Sequence, residues 1–169
     1  MTKTLIVFFS RKGNNYVLGN IVNLPIGNTK VAASKIQSLL NCDIFEIETV
    51  NEYPLEYTEC TTQAKVELKE NSRPKIKGQL PDVSGYDTII LGYPNWWGTF
   101  PMAVWTFLES VDLKGKTIMP YCTHEGSGMG VSERDLKKLC KDSILAKGLA
   151  IKGSNVQLSD NDIKNWLKL

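Results

Sequence analysis

The chain reads as an α/β domain built on a parallel sheet, and two observations predict it. Its strand-like segments are unbroken apolar runs such as Leu5-Ile6-Val7-Phe8-Phe9 and Ile89-Ile90-Leu91. A strand covered on both faces needs no polar alternation. Between these runs lie segments whose apolar residues recur at helical spacing, so strands and helices alternate along the chain. A third observation bears on function: three unusual loops, beginning at Ser10, Pro94 and Thr123, each directly follow a strand. With 169 residues and 42% apolar content, the chain suffices for one domain, residues 1–169, and falls short of two typical ones.

The first strand is Thr4 to Phe9. The next clear helix starts at Gly27-Asn28-Thr29, where Ala32, Ile36, Leu39 and Leu40 fall on one face. In between, Tyr16-Val17-Leu18 and Ile21-Val22 flank Gly19-Asn20, a two-residue turn signal, so a small β-hairpin turning at Gly19-Asn20 is expected. The competing register makes Tyr16 to Asn23 a helix and is disfavoured by the glycine in its middle. Asp43 to Glu48 alternates partly and suits a strand nearer an edge. Tyr57 to Glu70 reads as a helix with a weak apolar face. Asn71 to Gly85 carries Pro74, Gly78, Pro81 and Gly85 and is an irregular connection.

The third strand is Thr88 to Leu91. After the loop that follows it, Val104, Phe107, Leu108 and Val111 mark a helix, with Thr99 as its N-cap and Pro101 in its first turn. Thr117-Ile118-Met119 is the fourth strand. Ser132 with Asp135, and Ser159 with Asp162, read as capping boxes opening two more helices. Leu149-Ala150-Ile151 closes the sheet.

Composition excludes several function classes. Net charge is +2, with scattered basic residues and no aromatic-basic alternation, which argues against nucleic acid as a partner. Cys42, Cys60, Cys122 and Cys140 form no Cys-x-x-Cys, and with one histidine they offer little to a metal. Such thiols fit a reducing cytosol, and a cytoplasmic location is expected. The short apolar run after Met1-Thr2-Lys3 reads as a strand and not as a signal peptide, and no window is long enough to span a membrane. The nucleoside-triphosphate motif Gly-x-x-x-x-Gly-Lys-[Ser/Thr] is absent, and no Gly-x-Gly-x-x-Gly follows the first strand.

The three loops carry the chemistry. Ser10 and Arg11, if they meet Gly27, Asn28 and Thr29, supply the hydroxyls and helix N-terminal amides that hold a phosphate. Tyr93-Pro94-Asn95-Trp96-Trp97-Gly98 places two adjacent tryptophans on a strand-to-helix loop, and large flat side chains there point to a large flat ligand. The alternative is that both rings pack beneath a neighbouring helix. Thr123-His124-Glu125-Gly126-Ser127-Gly128-Met129-Gly130 lets backbone approach a ligand closely. His124 titrates near neutral pH and reads either as a proton donor or as a loop histidine bonded to backbone. Cys122, beside this loop, reads as a small buried hydrophobe. A hydrolase built on Ser127 or Cys122 lacks a placed base and orienting acid.

Leu5 to Arg11, Leu91 to Phe107 and Pro120 to Gly130 resemble the three FMN-contacting segments of flavodoxin-like domains. Asp112-Leu113-Lys114-Gly115-Lys116 is similar to a segment of the same family. The resemblance implies a three-layer α/β/α fold, a parallel five-stranded sheet in the order 2-1-3-4-5, and non-covalent FMN. In the family the first loop is short; here a hairpin insertion over residues 12–26 splits it. Under this resemblance Ser10, Arg11, Gly27, Asn28 and Thr29 take the phosphate. Pro94, Asn95, Trp96, Trp97 and Gly98 face the isoalloxazine. Thr123, His124, Gly126, Ser127 and Gly128 hold its polar edge.

The expected function is electron transfer through FMN. The alternative is an FMN-dependent NAD(P)H oxidoreductase acting on quinone, nitro or azo compounds. The partners are accordingly a redox protein, or NAD(P)H and a small acceptor. The slightly basic charge departs from the strongly acidic carriers of the family and implies a less negative potential for full reduction. A non-redox module binding another phosphorylated aromatic is the competing class.

Overall fold

The computed structural model describes residues 2–169. The elements run β1 (Thr4–Phe8), β2 (Gly13–Val17), β3 (Asn20–Leu24), α1 (Asn28–Leu40), β4 (Asp43–Glu46), α2 (Tyr57–Glu70), β5 (Thr88–Pro94), α3 (Met102–Ser110), β6 (Thr117–His124), α4 (Ser132–Leu139), β7 (Ile144–Leu145), β8 (Leu149–Lys152), a 3-10 helix (Gly153–Leu158) and α5 (Asp160–Leu167). The main sheet is parallel at every pairing, in the order β4-β1-β5-β6, with β7 and β8 both on the outer edge of β6. With the hairpin strands set aside and β7 and β8 taken as one edge strand, this is the order 2-1-3-4-5.

The apolar runs behave as their lack of alternation requires. In β1, Leu5 and Val7 enter one core while Ile6 and Phe8 enter the other. In β5, Ile89, Leu91 and Tyr93 share the first core and Ile90 the second. The first core lies under α3 and α4 through Phe107 and Leu136; the second lies under α1 and α5 through Ala32, Ile36 and Ile163. Ile6, Ile36, Ile90 and Ile163 are almost wholly buried, and such a side chain contributes about 1.5–3 kcal/mol.

Gly92 interrupts the apolar run of β5 for a steric reason. A Cβ there would sit 2.1 Å from the Tyr121 ring of the neighbouring strand. The ring lies over the bare backbone, and its hydroxyl donates to the Thr29 carbonyl at 3.1 Å. A close approach in the sheet thereby anchors the start of α1.

Several local expectations are corrected. The hairpin turns at Leu18-Gly19 and not at Gly19-Asn20, because Val17 pairs with Asn20. Both turn residues have positive φ, 49° and 87°, as the favoured two-residue hairpin turn demands. Thr99 does not cap α3, whose N-cap is Pro101; its hydroxyl instead donates to Asp135 at 2.8 Å. Asp135 is therefore engaged elsewhere, and Ser132 lies inside α4, donating to the Met129 carbonyl at 2.6 Å, so no capping box forms there. Ser159 does precede α5, but its hydroxyl donates to the Val156 carbonyl at 2.7 Å rather than capping the helix. The last strand is broken in two. At the break Gly148 donates to Glu133 at 2.8 Å, and Trp166 donates to the Lys147 carbonyl at 2.8 Å.

Candidate functional site

The loops after β1, β5 and β6 meet beyond the carboxyl ends of their strands, where open parallel sheets bind ligands. They border a cavity of about 580 Å³, within the range of small-molecule sites.

The two halves of the first loop come together despite the residues between them. A Cβ on Gly27 would stand 2.3 Å from Ser10 Oγ and 2.5 Å from the Arg11 carbonyl, so only glycine admits this approach. Gly27 contributes no side-chain cap to α1, and Ser10 Oγ accepts the Lys30 N–H at 3.1 Å in its place. The opening amides of a helix have no partner within the helix, and Asn28 and Thr29 present this end of α1 to the cavity. Thr29 Oγ1 lies 2.7 Å from Thr123 Oγ1, which joins the first loop to the third.

The tryptophan loop is a miniature hairpin. Trp96 and Thr99 form a bridge around Trp97 and Gly98, whose φ values are 54° and 88°. A bulky residue with positive φ holds strain on the order of 1 kcal/mol. The two rings part company. Trp96 packs edge-on against Phe9 and Tyr53, with centroids at 5.2 and 5.0 Å. Trp97 is 51% exposed. Its Nε1 donates to the Thr61 carbonyl of α2 at 2.9 Å, and Lys65 Nζ stands 5.0 Å from the ring.

Asn95 ties the second loop to the third. Its Nδ2 donates to the Gly128 carbonyl at 2.9 Å, and its Oδ1 accepts the Gly98 N–H at 2.9 Å. Its own N–H donates to the Thr123 carbonyl at 2.9 Å and is not available to a ligand. Gly130, with φ of 54°, closes the join: a Cβ there would lie 2.1 Å from the Gly98 carbonyl oxygen. The Val131 N–H donates to that same oxygen at 2.7 Å.

Arg11, His124 and Glu125, which border the cavity, are engaged within the protein. The Arg11 guanidinium donates to the carbonyls of Pro54 and Leu55, at 2.8 Å each, and to those of Glu56 and Asn14. It pins the root of the hairpin to the loop before α2. His124 Nδ1 accepts the Gly126 N–H at 2.9 Å. Burial lowers the His124 pKa, Glu125 opposes that shift and Lys152 adds to it. The ring is therefore neutral at physiological pH, with its remaining nitrogen carrying the hydrogen. Glu125 accepts the Ser154 N–H at 2.6 Å and the Leu18 N–H at 3.3 Å, fastening the hairpin tip to the other side of the site. Burial pushes the Cys60 thiol up to about 11, so it faces the cavity protonated.

Of the residues singled out in the sequence, Arg11, Asn28, Thr29, Pro94, Asn95, Trp96, Trp97, Gly98, Thr123, His124, Gly126 and Ser127 line the cavity. Ser10, Gly27 and Gly128 stand behind that lining and hold it in place. Sequence reasoning missed Asn15 and Tyr16 of the hairpin, Tyr57, Cys60, Thr61 and Ala64 of α2, and Glu125 and Gly153. The weak apolar face of α2 was the available signal. Tyr57, Cys60, Thr61 and Ala64 recur at i, i+3, i+4 and i+7 on one helix face, and that face borders a cavity.

A doubly wound parallel sheet in this order, with a crevice at the ends of β1, β5 and β6, defines the flavodoxin-like class. The flavodoxin family model matches residues 23–169, and the chain belongs to that family. A provisionally assigned flavoprotein from Bacteroides uniformis ATCC 8492 is 27% identical, with 99% of each chain covered and a TM-score of 0.78. Another, from Bacteroides eggerthii DSM 20697, is 28% identical over 96% of this chain and 98% of that one, with a TM-score of 0.74. A flavoprotein from Lactobacillus acidophilus NCFM, solved in complex with FMN, shares the fold at 20% identity over 94% of this chain and 98% of that one, with a TM-score of 0.68. No curated protein matches the chain.

Proposed function

We propose that this protein binds FMN without a covalent bond and transfers electrons through it. The observation that carries the reading is the convergence of three strand-end loops on one cavity, joined by the Thr29–Thr123 and Asn95–Gly128 contacts. The residues fit the group. The start of α1, with Ser10, Gly27, Asn28 and Thr29, offers amides and hydroxyls suited to a phosphate. Arg11 borders this region but acts on carbonyls, so the phosphate is held by dipoles rather than by a lysine or arginine fork. Pro94 to Gly98 supply the aromatic wall for the ring system. Thr123, His124, Gly126, Ser127 and Gly128 supply the polar edge, with neutral His124 as a hydrogen-bond donor.

When bound, FMN stores and passes on the electrons; the protein binds, orients and tunes it. The chain's own residues do the rest. The Thr29–Thr123 pair and Asn95 fix the spacing of the phosphate end and the ring end. Trp96, wedged between Phe9 and Tyr53, keeps the loop from folding into the slot. The hairpin, pinned by Arg11 and Glu125, borders one side of the cavity through Asn15 and Tyr16.

The second reading, an FMN-dependent NAD(P)H oxidoreductase for quinone, nitro or azo compounds, is favoured by one specific observation. The cavity is extended by Tyr57 of α2, from outside the three loops, and by Tyr16 of the hairpin inserted in the first, which a carrier docking only to proteins does not need. Titration of the protein with FMN, followed by visible absorbance, tests the first reading: a one-to-one yellow complex supports it and no uptake refutes it. Anaerobic mixing of the complex with NADH or NADPH separates the two: rapid bleaching supports the oxidoreductase, and none supports the carrier.

A further inference from the structure

From Gly13 to Thr29 the chain has no charged residue, although 22% of it is charged. That stretch is not buried. Leu18, Ile21, Val22 and Ile26 are 66, 50, 40 and 55% exposed, and every residue of β3 except Leu24 lies open to solvent. Among the described residues β3 pairs only with β2, so its outer edge has no partner strand. Hydrogen-bonded and non-hydrogen-bonded pairs alternate along an antiparallel ribbon. Asn14 turns its N–H away from the ribbon, to the Leu55 carbonyl at 3.0 Å. Asn23, paired with Asn14, therefore turns its backbone groups outward on the other edge, and so does Ile21 two residues before it. Proteins commonly blunt such an edge with charged side chains; β3 has none.

We infer that the outer edge of β3 is a docking surface for a second copy of this chain. The two strands pair antiparallel about a two-fold axis at Val22 and form a four-stranded ribbon. The FMN reading is not needed for this. The spacing selects the occupant. Leu18, Val22 and Ile26 recur every four residues. A two-fold axis at Val22 sets Leu18 against the partner's Ile26, and Val22 against the partner's Val22. Ile21 and Asn23 then exchange backbone hydrogen bonds with the partner's Asn23 and the partner's Ile21. The pairing is isologous, so it closes at two copies.

Charge and size agree with that choice. An acidic or basic partner finds no opposite charge on the strand, and a second copy meets no like charge. The four exposed apolar side chains amount to roughly 400 Å² per copy, and with the strand backbone the pair approaches about 1,000 Å², the lower bound for a specific interface. Arg11 and Glu125 hold the two ends of the hairpin, so the ribbon is presented already formed and little ordering opposes docking.

Sedimentation velocity of the full chain at about 1–100 μM, where an interface this small dissociates, is expected to show a monomer passing to a dimer. Val22→Lys puts like charges face to face on the axis and is expected to stay monomeric throughout. Its thermal transition is expected to be unchanged, because Val22 lies outside both cores. Val66→Lys, at an exposed position of α2, is expected to dimerise as the wild type does. Val22→Cys supplies an independent readout. Directly opposed residues of a non-hydrogen-bonded pair bring their Cβ atoms to about 4.5–5.5 Å, close enough for a disulfide after a small shift. Mild oxidation is expected to link this variant into a covalent dimer and to leave the wild-type chain, with its four free cysteines, unlinked.

A wild-type chain that stays monomeric at the highest concentration overturns the second copy as occupant. A dimer that survives Val22→Lys, or a Val22→Cys chain that does not cross-link, overturns the β3 edge as its interface. Assemblies that grow beyond two copies overturn the two-fold pairing.

Discussion

Two glycines of one loop isolate the close approach that joins the second and third loops. Gly128 and Gly130 have nearly the same backbone, with φ of 59° and 54°. A Cβ on Gly128 meets nothing within 4 Å, whereas one on Gly130 lies 2.1 Å from the Gly98 carbonyl oxygen and 2.8 Å from its carbon. Gly128→Ala therefore carries only the left-handed strain, about 1 kcal/mol, partly offset by the stiffer unfolded chain. Gly130→Ala carries that strain plus an overlap with backbone that cannot rotate aside, on the order of 1–3 kcal/mol more. It also pushes away the oxygen that accepts the Val131 N–H. At about 2–4 °C per kcal/mol for a chain of this size, the two variants should differ by roughly 2–12 °C in the Tm of the apoprotein. Scanning calorimetry measures this without reference to ligand. Equal Tm values for the two variants would refute the argument that backbone contact across these loops builds the site.

The remaining predictions are independent of that one. Thr29→Val or Thr123→Val leaves a buried hydroxyl without its partner and should cost about 1–3 kcal/mol in urea unfolding; the double variant should cost less than the sum, and strict additivity would deny the 2.7 Å contact. Arg11→Met releases the carbonyls of Pro54 and Leu55, with an expected loss of about 2 kcal/mol and faster proteolysis within residues 12–26; an unchanged cleavage pattern would remove the clamp.

Burial lowers the His124 pKa from the ordinary 6.5. The unfolded chain therefore binds the proton more readily, and the stability from His124 is complete above about 6.5 and lost as pH falls through the folded value. His124→Gln should flatten stability against pH over that interval, and an unaltered profile would count against it. Potentiometric titration of the FMN-loaded protein should give a less negative potential for full reduction than in strongly acidic family members, and a strongly negative couple would contradict the charge argument.

The fold was legible because it depends on local composition and period. The apolar runs of β1 and β5 require cover on both faces wherever they lie in the sheet, and α1 and α3 show their buried stripes in sequence. The caps were misread for a complementary reason. Ser132, Asp135 and Thr99 have the right types at the right spacing, but tertiary neighbours took their hydrogen bonds: Tyr93 donates to Ser132 at 2.9 Å, and Thr99 donates to Asp135. A polar side chain with two possible partners is assigned by the folded structure, not by spacing.

The site divides along the same line. Sequence alone determined that flat rings, a glycine-rich loop and a hydroxyl-bearing helix start each follow a strand, because strand positions along the chain and backbone freedom are written into residue types. Only the tertiary structure decided that Arg11 serves carbonyls, that Trp96 and Trp97 face different neighbours, and that Tyr16 and one face of α2 complete the cavity. Those outcomes depend on contacts between residues up to a hundred positions apart, and such contacts leave no periodic trace in the chain.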